Sequence, residues 1–126
     1  MESFEIGDIV TGIYKTGKYI GEITELKRDR YLMRVLAVMK HPKQGDLHQP
    51  KSADVPFFHE RRALAYREQT NIPAPYVKKY EGDLPDYKAS LRSALDDEIA
   101  TLEQENSDWS HMALEKLRSL EADYFK

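Results

Sequence analysis

The sequence predicts an α+β protein, with a small β-barrel over residues 1–80 followed by an antiparallel helical hairpin over residues 81–126. Three observations carry this. The hydrophobic pattern changes period, from short strand-like runs before residue 80 to helical spacing after it. The charge divides at the same place: 14 Lys+Arg stand against 10 Asp+Glu through Tyr80, and 5 against 12 from Glu81 onward. Pro73 and Pro75 mark a tight turn just before a last short strand.

Taken in order, Ile6, Ile9, Val10, Ile13 and Tyr14 read as a first strand, interrupted by Gly7 and Gly12. Thr16-Gly17-Lys18 is predicted as the turn, because glycine tolerates positive φ. Tyr19 to Lys27 is a second strand, and its slip from strict alternation near Gly21 predicts a bulge. Tyr31 to Lys40 is apolar on both faces and reads as a central strand. Residues 41–56 hold three prolines and one glycine and are predicted to be a long loop, with Pro56-Phe57-Phe58 restarting the ordered chain. Strand is expected near Ala65–Thr70, with 59–64 open between helix and strand. A turn over Asn71–Tyr76 and a final strand over Val77–Tyr80 follow.

The helices are expected at about 85–105 and 108–125. Pro85 suits a first helical position. Tyr87, Leu91, Leu95, Ile99 and Leu102 form one apolar stripe, and Trp109, Ala113, Leu117, Leu120 and Tyr124 form another. Asn106-Ser107-Asp108 breaks the run and supplies a cap. These stripes can pack within the chain or serve a homodimer.

Ile72-Pro73-Ala74-Pro75-Tyr76-Val77 resembles the end of an SH3 domain, where such a run makes one helical turn and enters the last strand. Gly7-Asp8-Ile9-Val10 and Phe57-Phe58 also suit an SH3-like β-barrel. Thr70-Asn71 replaces the usual glycine, and the acidic run of the first long loop is missing. The resemblance therefore speaks for a fold and not for proline-peptide binding.

Composition excludes several functions. A net charge of −3 over 126 residues is not that of a basic nucleic-acid binder. The absence of Cys removes disulfides, thiolate metal sites, thiol nucleophiles and Cys-linked lipid. Met1-Glu2-Ser3-Phe4-Glu5 resembles no signal peptide and excludes N-myristoylation. The apolar stretch near Tyr31–Met39 is too short to span a bilayer. The expected location is cytoplasmic.

Candidate chemistry is sparse. His41, His48 and His59, with Asp46, Asp54 and Glu60, bracket the long loop and are residue types that bind zinc or manganese, but no regular spacing converges them. Asp46 and His48 could pair as acid and base, yet no nucleophile or cofactor motif accompanies them. No enzyme activity, cofactor or metal is expected. Lys15, Lys18, Lys27, Arg28, Arg30 and Arg34 with Tyr14, Tyr19 and Tyr31 could form a face for single-stranded nucleic acid. The competing reading is hairpin charge that keeps sheet edges unpaired. The surface best suited to a protein partner combines Tyr14, Tyr19, His41, Asp46, His48, Phe57, Phe58, His59 and Tyr76, since loops and turn-flanking aromatics are where small barrels bind.

Longer runs carry a family resemblance: Ile13-Tyr14-Lys15-Thr16-Gly17-Lys18-Tyr19-Ile20-Gly21-Glu22-Ile23, then His41-Pro42 through Gln44-Gly45-Asp46-Leu47-His48 to Pro50-Lys51. Ala53-Asp54-Val55-Pro56-Phe57-Phe58-His59-Glu60-Arg61, Ala63-Leu64-Ala65-Tyr66, Glu68-Gln69-Thr70-Asn71-Ile72-Pro73 and Pro85-Asp86-Tyr87 complete it. The chain resembles the kinase-associated protein B family (also called kinase-associated lipoprotein B) of Bacillus-type spore formers. The resemblance implies a non-catalytic accessory for a membrane sensor histidine kinase that feeds the sporulation phosphorelay. It also implies lipidation, which a chain without Cys cannot carry through sulfur. Membrane contact is then expected only through the kinase, at the inner face of the cell membrane. No residue-level site comes with the resemblance.

Overall fold

A computed structural model gives the fold and describes residues 3–45, 53 and 58–126. Five antiparallel strands run β1 (Ile9–Tyr14), β2 (Gly17–Leu26), β3 (Arg30–Lys40), β4 (Gln69–Pro73) and β5 (Val77–Lys79). A 3-10 turn, Ala74–Tyr76, joins the last two. The strand order is β4-β3-β2-β1-β5, that of an SH3-like barrel, with β3 in the interior of the sheet as its two apolar faces predict. Helices α1 (Tyr87–Glu105) and α2 (Asp108–Tyr124) complete the α+β chain.

Local chemistry shifts several boundaries. Ile6 lies outside β1 and is exposed, because Glu5–Asp8 form a turn in which the Asp8 carboxylate accepts from Glu5 N and Gly7 adopts φ +97°. The first hairpin turns at Lys15-Thr16, one residue earlier than the glycine suggests. Lys15 itself takes the positive φ, +55°. Gly17 is needed for a different reason: a Cβ there would sit 2.5 Å from the Tyr19 hydroxyl. The bulge near Gly21 is present, with Ile20 opposite Ala37 and Gly21 opposite Val35. β4 starts at Gln69 instead of Ala65. Arg67 at φ +68° and a Glu68 carboxylate that accepts from Ala65 N turn the chain first. Asn71 to Pro73, expected in the turn, therefore belong to the strand.

α1 begins one residue after its cap. The Asp86 side chain accepts from Ala89 N, so Pro85 precedes the helix instead of opening it. Asn106 ends α1 in the left-handed conformation, and Ser107 and Ser110 form a reciprocal capping box for α2. The hairpin's apolar stripes are buried in cis. Leu91 and Ala94 join Val10, Ile23, Met33, Val35 and Ile72 in one core cluster. Leu95, Ile99, Leu102, Trp109, Ala113, Leu117 and Leu120 form a second cluster between the helices. The Ser90 hydroxyl accepts from Val38 N at 2.9 Å, which fixes α1 against β3.

Candidate functional site

Residues 41–45 and 58–65 are irregular, so their backbone polar groups need partners from elsewhere. Gln44 supplies one set. Its amide nitrogen donates to the carbonyls of Pro42 and Arg61, and its Oε1 accepts from Arg61 N at 2.8 Å. Gly45 N donates to His59 O, and Arg61 Nε donates to Gly45 O. Three tyrosines supply the rest. The Tyr19 hydroxyl accepts from Leu64 N, the Tyr87 hydroxyl donates to Leu64 O, and the Tyr124 hydroxyl accepts from Ala63 N at 2.9 Å. The segment 58–65 thus hangs between the barrel and both helices.

His41 completes this clamp. It is 2% exposed. Its Nδ1 lies 2.9 Å from Pro42 O, and its Nε2 lies 3.0 Å from the Tyr124 hydroxyl. A carbonyl can only accept, so Nδ1 carries the proton and Nε2 accepts from Tyr124. Burial holds the His41 imidazole below its usual pKa and so keeps it neutral. Burial likewise raises the hydroxyls of Tyr19 and Tyr124, and pushes Tyr87 up to about 12.

A pH dependence follows. The unfolded chain protonates His41 near 6.5, while the folded chain resists until a lower pH. The folded state binds fewer protons across that window, so His41's contribution to stability is full above about pH 6.5 and declines as pH falls. Thermal unfolding at pH 7.5 and 5.5 should show His41→Gln less stable than wild type, with the gap narrower at the lower pH. A gap that widens on acidification would contradict this environment.

The predicted site residues therefore separate. Tyr19, at 1% exposed, and His41 are interior and consumed by the clamp, so neither is available for stacking or direct contact. Phe58 is half-buried against the helical cluster, and His59 is half-buried. Tyr14 is half-buried with Lys15 Nζ 5.5 Å from its ring, and Tyr76 is exposed on the 3-10 turn. Asp46, His48 and Phe57 lie outside the described residues. So do Asp54 and the expected Asp46–His48 pair.

The structure does not gather the basic aromatic face. Arg30 pairs with Asp29 and Arg34 with Glu22, Tyr19 is core, and Tyr31 packs edge-on to Phe4. Both ring nitrogens of His41 are engaged. Among the described residues no three His, Asp or Glu side chains converge as metal ligands. Sequence reasoning missed Gln44, Ile13 and the clamp role of Tyr124. Only the tyrosine at the end of a helical stripe, where a fully apolar residue would suffice for packing, hinted at a polar duty.

Tyr14 and Tyr76 stay together at one end of the barrel. With Ile13, Lys15, Asn71 and Pro73 they line a hollow of about 490 Å³. A second hollow of about 280 Å³ shares Tyr14 and Lys15 and reaches Thr16, Pro42, Glu60, Arg61 and Arg62.

Fold and site define an SH3-like sheet buttressed by a helical hairpin, with the clamp's titratable groups spent on internal hydrogen bonds and Tyr14 and Tyr76 together on one rim. The family described as "Kinase associated protein B" matches residues 14–125. The chain belongs to that family. It is 57% identical to "Kinase-associated lipoprotein B" of Bacillus subtilis (strain 168) over 125 residues, 99% of this chain and 98% of the relative. The X-ray crystal structure of kinase-associated protein B from Bacillus cereus superposes with a TM-score of 0.83 at 49% identity, covering 97% of this chain and 98% of that one. The names point to an accessory associated with a kinase. Among the described residues no helix is long and apolar enough to cross a membrane, and the relative's name as a lipoprotein leaves membrane association open.

Proposed function

We propose that this protein is a non-catalytic accessory that supports a sensor histidine kinase in the sporulation phosphorelay, acting by protein–protein contact. The observation that carries this reading is kinship over nearly the whole chain with proteins named for kinase association. The chemistry of the clamp supports it. His41, Tyr19, Tyr87 and Tyr124 have shifted proton affinities because they are buried, and each spends its polar atoms on holding segments together. The contact surface in this reading is the rim that carries Tyr14 and Tyr76. The protein works in the cytoplasm and reaches the membrane through the kinase, since no sulfur in these 126 residues can carry a lipid.

The test is a calorimetric titration of the kinase's purified cytoplasmic region with the full chain. A complex with a Kd of about 10 μM or tighter is expected, as for transient signalling contacts. No heat and no co-elution at about 100 μM of each partner would overturn the reading.

A further inference from the structure

We infer that the groove running over Tyr14, from Pro73 and Tyr76 to Lys15 and Arg61, is a docking site for an extended peptide segment that carries a large apolar residue beside acidic ones. The inference rests on the reading that the protein works by protein contact, and it names the chemistry of the contact.

The two hollows on this rim adjoin at Tyr14 and Lys15, which line both, and their far ends have unlike chemistry. One end is apolar. Tyr76 on the 3-10 turn is 53% exposed and Ile13 on β1 41%; among the described strand apolar side chains only Leu26 and Met39 are comparably exposed, and neither lines this rim. The 3-10 turn buries none of its three residues, so core packing does not account for a tyrosine at 76. Pro73 and Pro75 fix the backbone on both sides of Ala74. The Tyr76 ring is thus offered on a stiff support that loses little entropy on binding. Exposed tyrosine on a rigid turn is a typical interface anchor.

The other end is cationic. Lys15, Arg61 and Arg62 line it against one carboxylate, Glu60. Arg62 already pairs with Asp123. Among the described residues Lys15 and Arg61 form no ion pair: Lys15 lies against the Tyr14 ring, and Arg61 uses Nε on Gly45 O at 3.2 Å. The rest of the Arg61 guanidinium fork and the Lys15 ammonium complement a carboxylate. A basic segment would be repelled there. A wholly acidic one would leave Ile13, Pro73 and Tyr76 in water. The occupant that satisfies both ends has an apolar anchor and acidic neighbours.

The test uses the full chain as bait for a display library of random dodecapeptides. Selected peptides should combine a large apolar residue with Asp or Glu. They should bind at least tenfold more weakly to Tyr76→Ala and to Lys15→Glu, and weaken as salt rises. Tyr66→Ala, an exposed tyrosine elsewhere, should bind as wild type does, and all three variants should keep the wild-type melting temperature. Failure to enrich any peptide, enrichment of basic or uncharged proline-rich peptides, or equal binding to the groove variants would overturn the inference. The two readings fail separately. A chain that selects acidic-apolar peptides but ignores the kinase keeps the groove and loses the kinase. A chain that binds the kinase but selects no such peptides keeps the kinase and loses the groove.

Discussion

Trp109→Ala is expected to lower the free energy of unfolding by about 4 kcal/mol, within the usual cost of emptying a buried aromatic site. Trp109 is 4% exposed in the first turn of α2 and packs in the cluster of Leu95, Ile99, Leu102 and Leu117. It also meets the clamp, since a Cβ on Gly45 would come within 3.3 Å of its Nε1. Gly45 is held on both sides, its N–H donating to His59 O and its carbonyl accepting from Arg61 Nε, so the backbone beside the indole has little freedom to collapse into the space. The hole would be walled by two helices and a fixed loop, the situation in which cavity costs are largest. Urea unfolding should show a lower midpoint with an unchanged slope. Trp109→Phe keeps most of the volume and should cost about half as much. A loss under about 1 kcal/mol for the alanine variant would show that the indole is not an anchor of the hairpin.

Gly21→Ala is expected to cost about 3 kcal/mol, at the upper end for overpacking. At the bulge in β2 an added Cβ would press on the Met33 side chain and lie 2.6 Å from the carbonyl oxygen of Arg34. The methionine can change rotamer, but it is fully buried and has little room. The carbonyl belongs to the backbone of the neighbouring strand, so relief requires β2 and β3 to separate. Gly12→Ala is the control. Its Cβ would meet only side chains, the Met33 sulfur at 3.0 Å and Ile72 at 3.3 Å, and should cost clearly less. Equal losses at the two glycines, read from chemical denaturation, would contradict the close approach at the bulge.

The helices were legible because their stripes repeat at 3.6-residue spacing and Asn106-Ser107 carries the chemistry of one end and the next beginning. The strand order was accessible through the Ile72–Val77 run. The start of β4 was not. Arg67 supplies a left-handed turn without glycine, and the Glu68 side chain closes it, so no conventional turn residue marks the place. Residues 58–65 have no period to read. Their backbone is satisfied by Gln44, Tyr19, Tyr87 and Tyr124, whose positions relative to the segment are fixed only by the tertiary fold.

The same limit applied to the site. Tyr76 could be placed on a rim because prolines announced its turn. Tyr19 could not be placed inside, because the face it takes depends on an irregular register between Lys18 and Tyr19, opposite Lys40 and Val38. His41 read as a loop histidine with no spacing that would make it a metal ligand, and the structure makes it a buried link that bonds Pro42 O and reaches Tyr124, 83 residues on.

The measurement that bears most directly on an accessory acting by contact is amide hydrogen exchange of the full chain with and without the kinase's cytoplasmic region. Protection is expected at Ile13–Lys15 and Ala74–Tyr76, with the buried turns of α1 and α2 unchanged because their apolar faces are already filled in cis. Protection confined to the acidic outer faces of the helices, or no change anywhere in the chain at saturating kinase, would contradict the account.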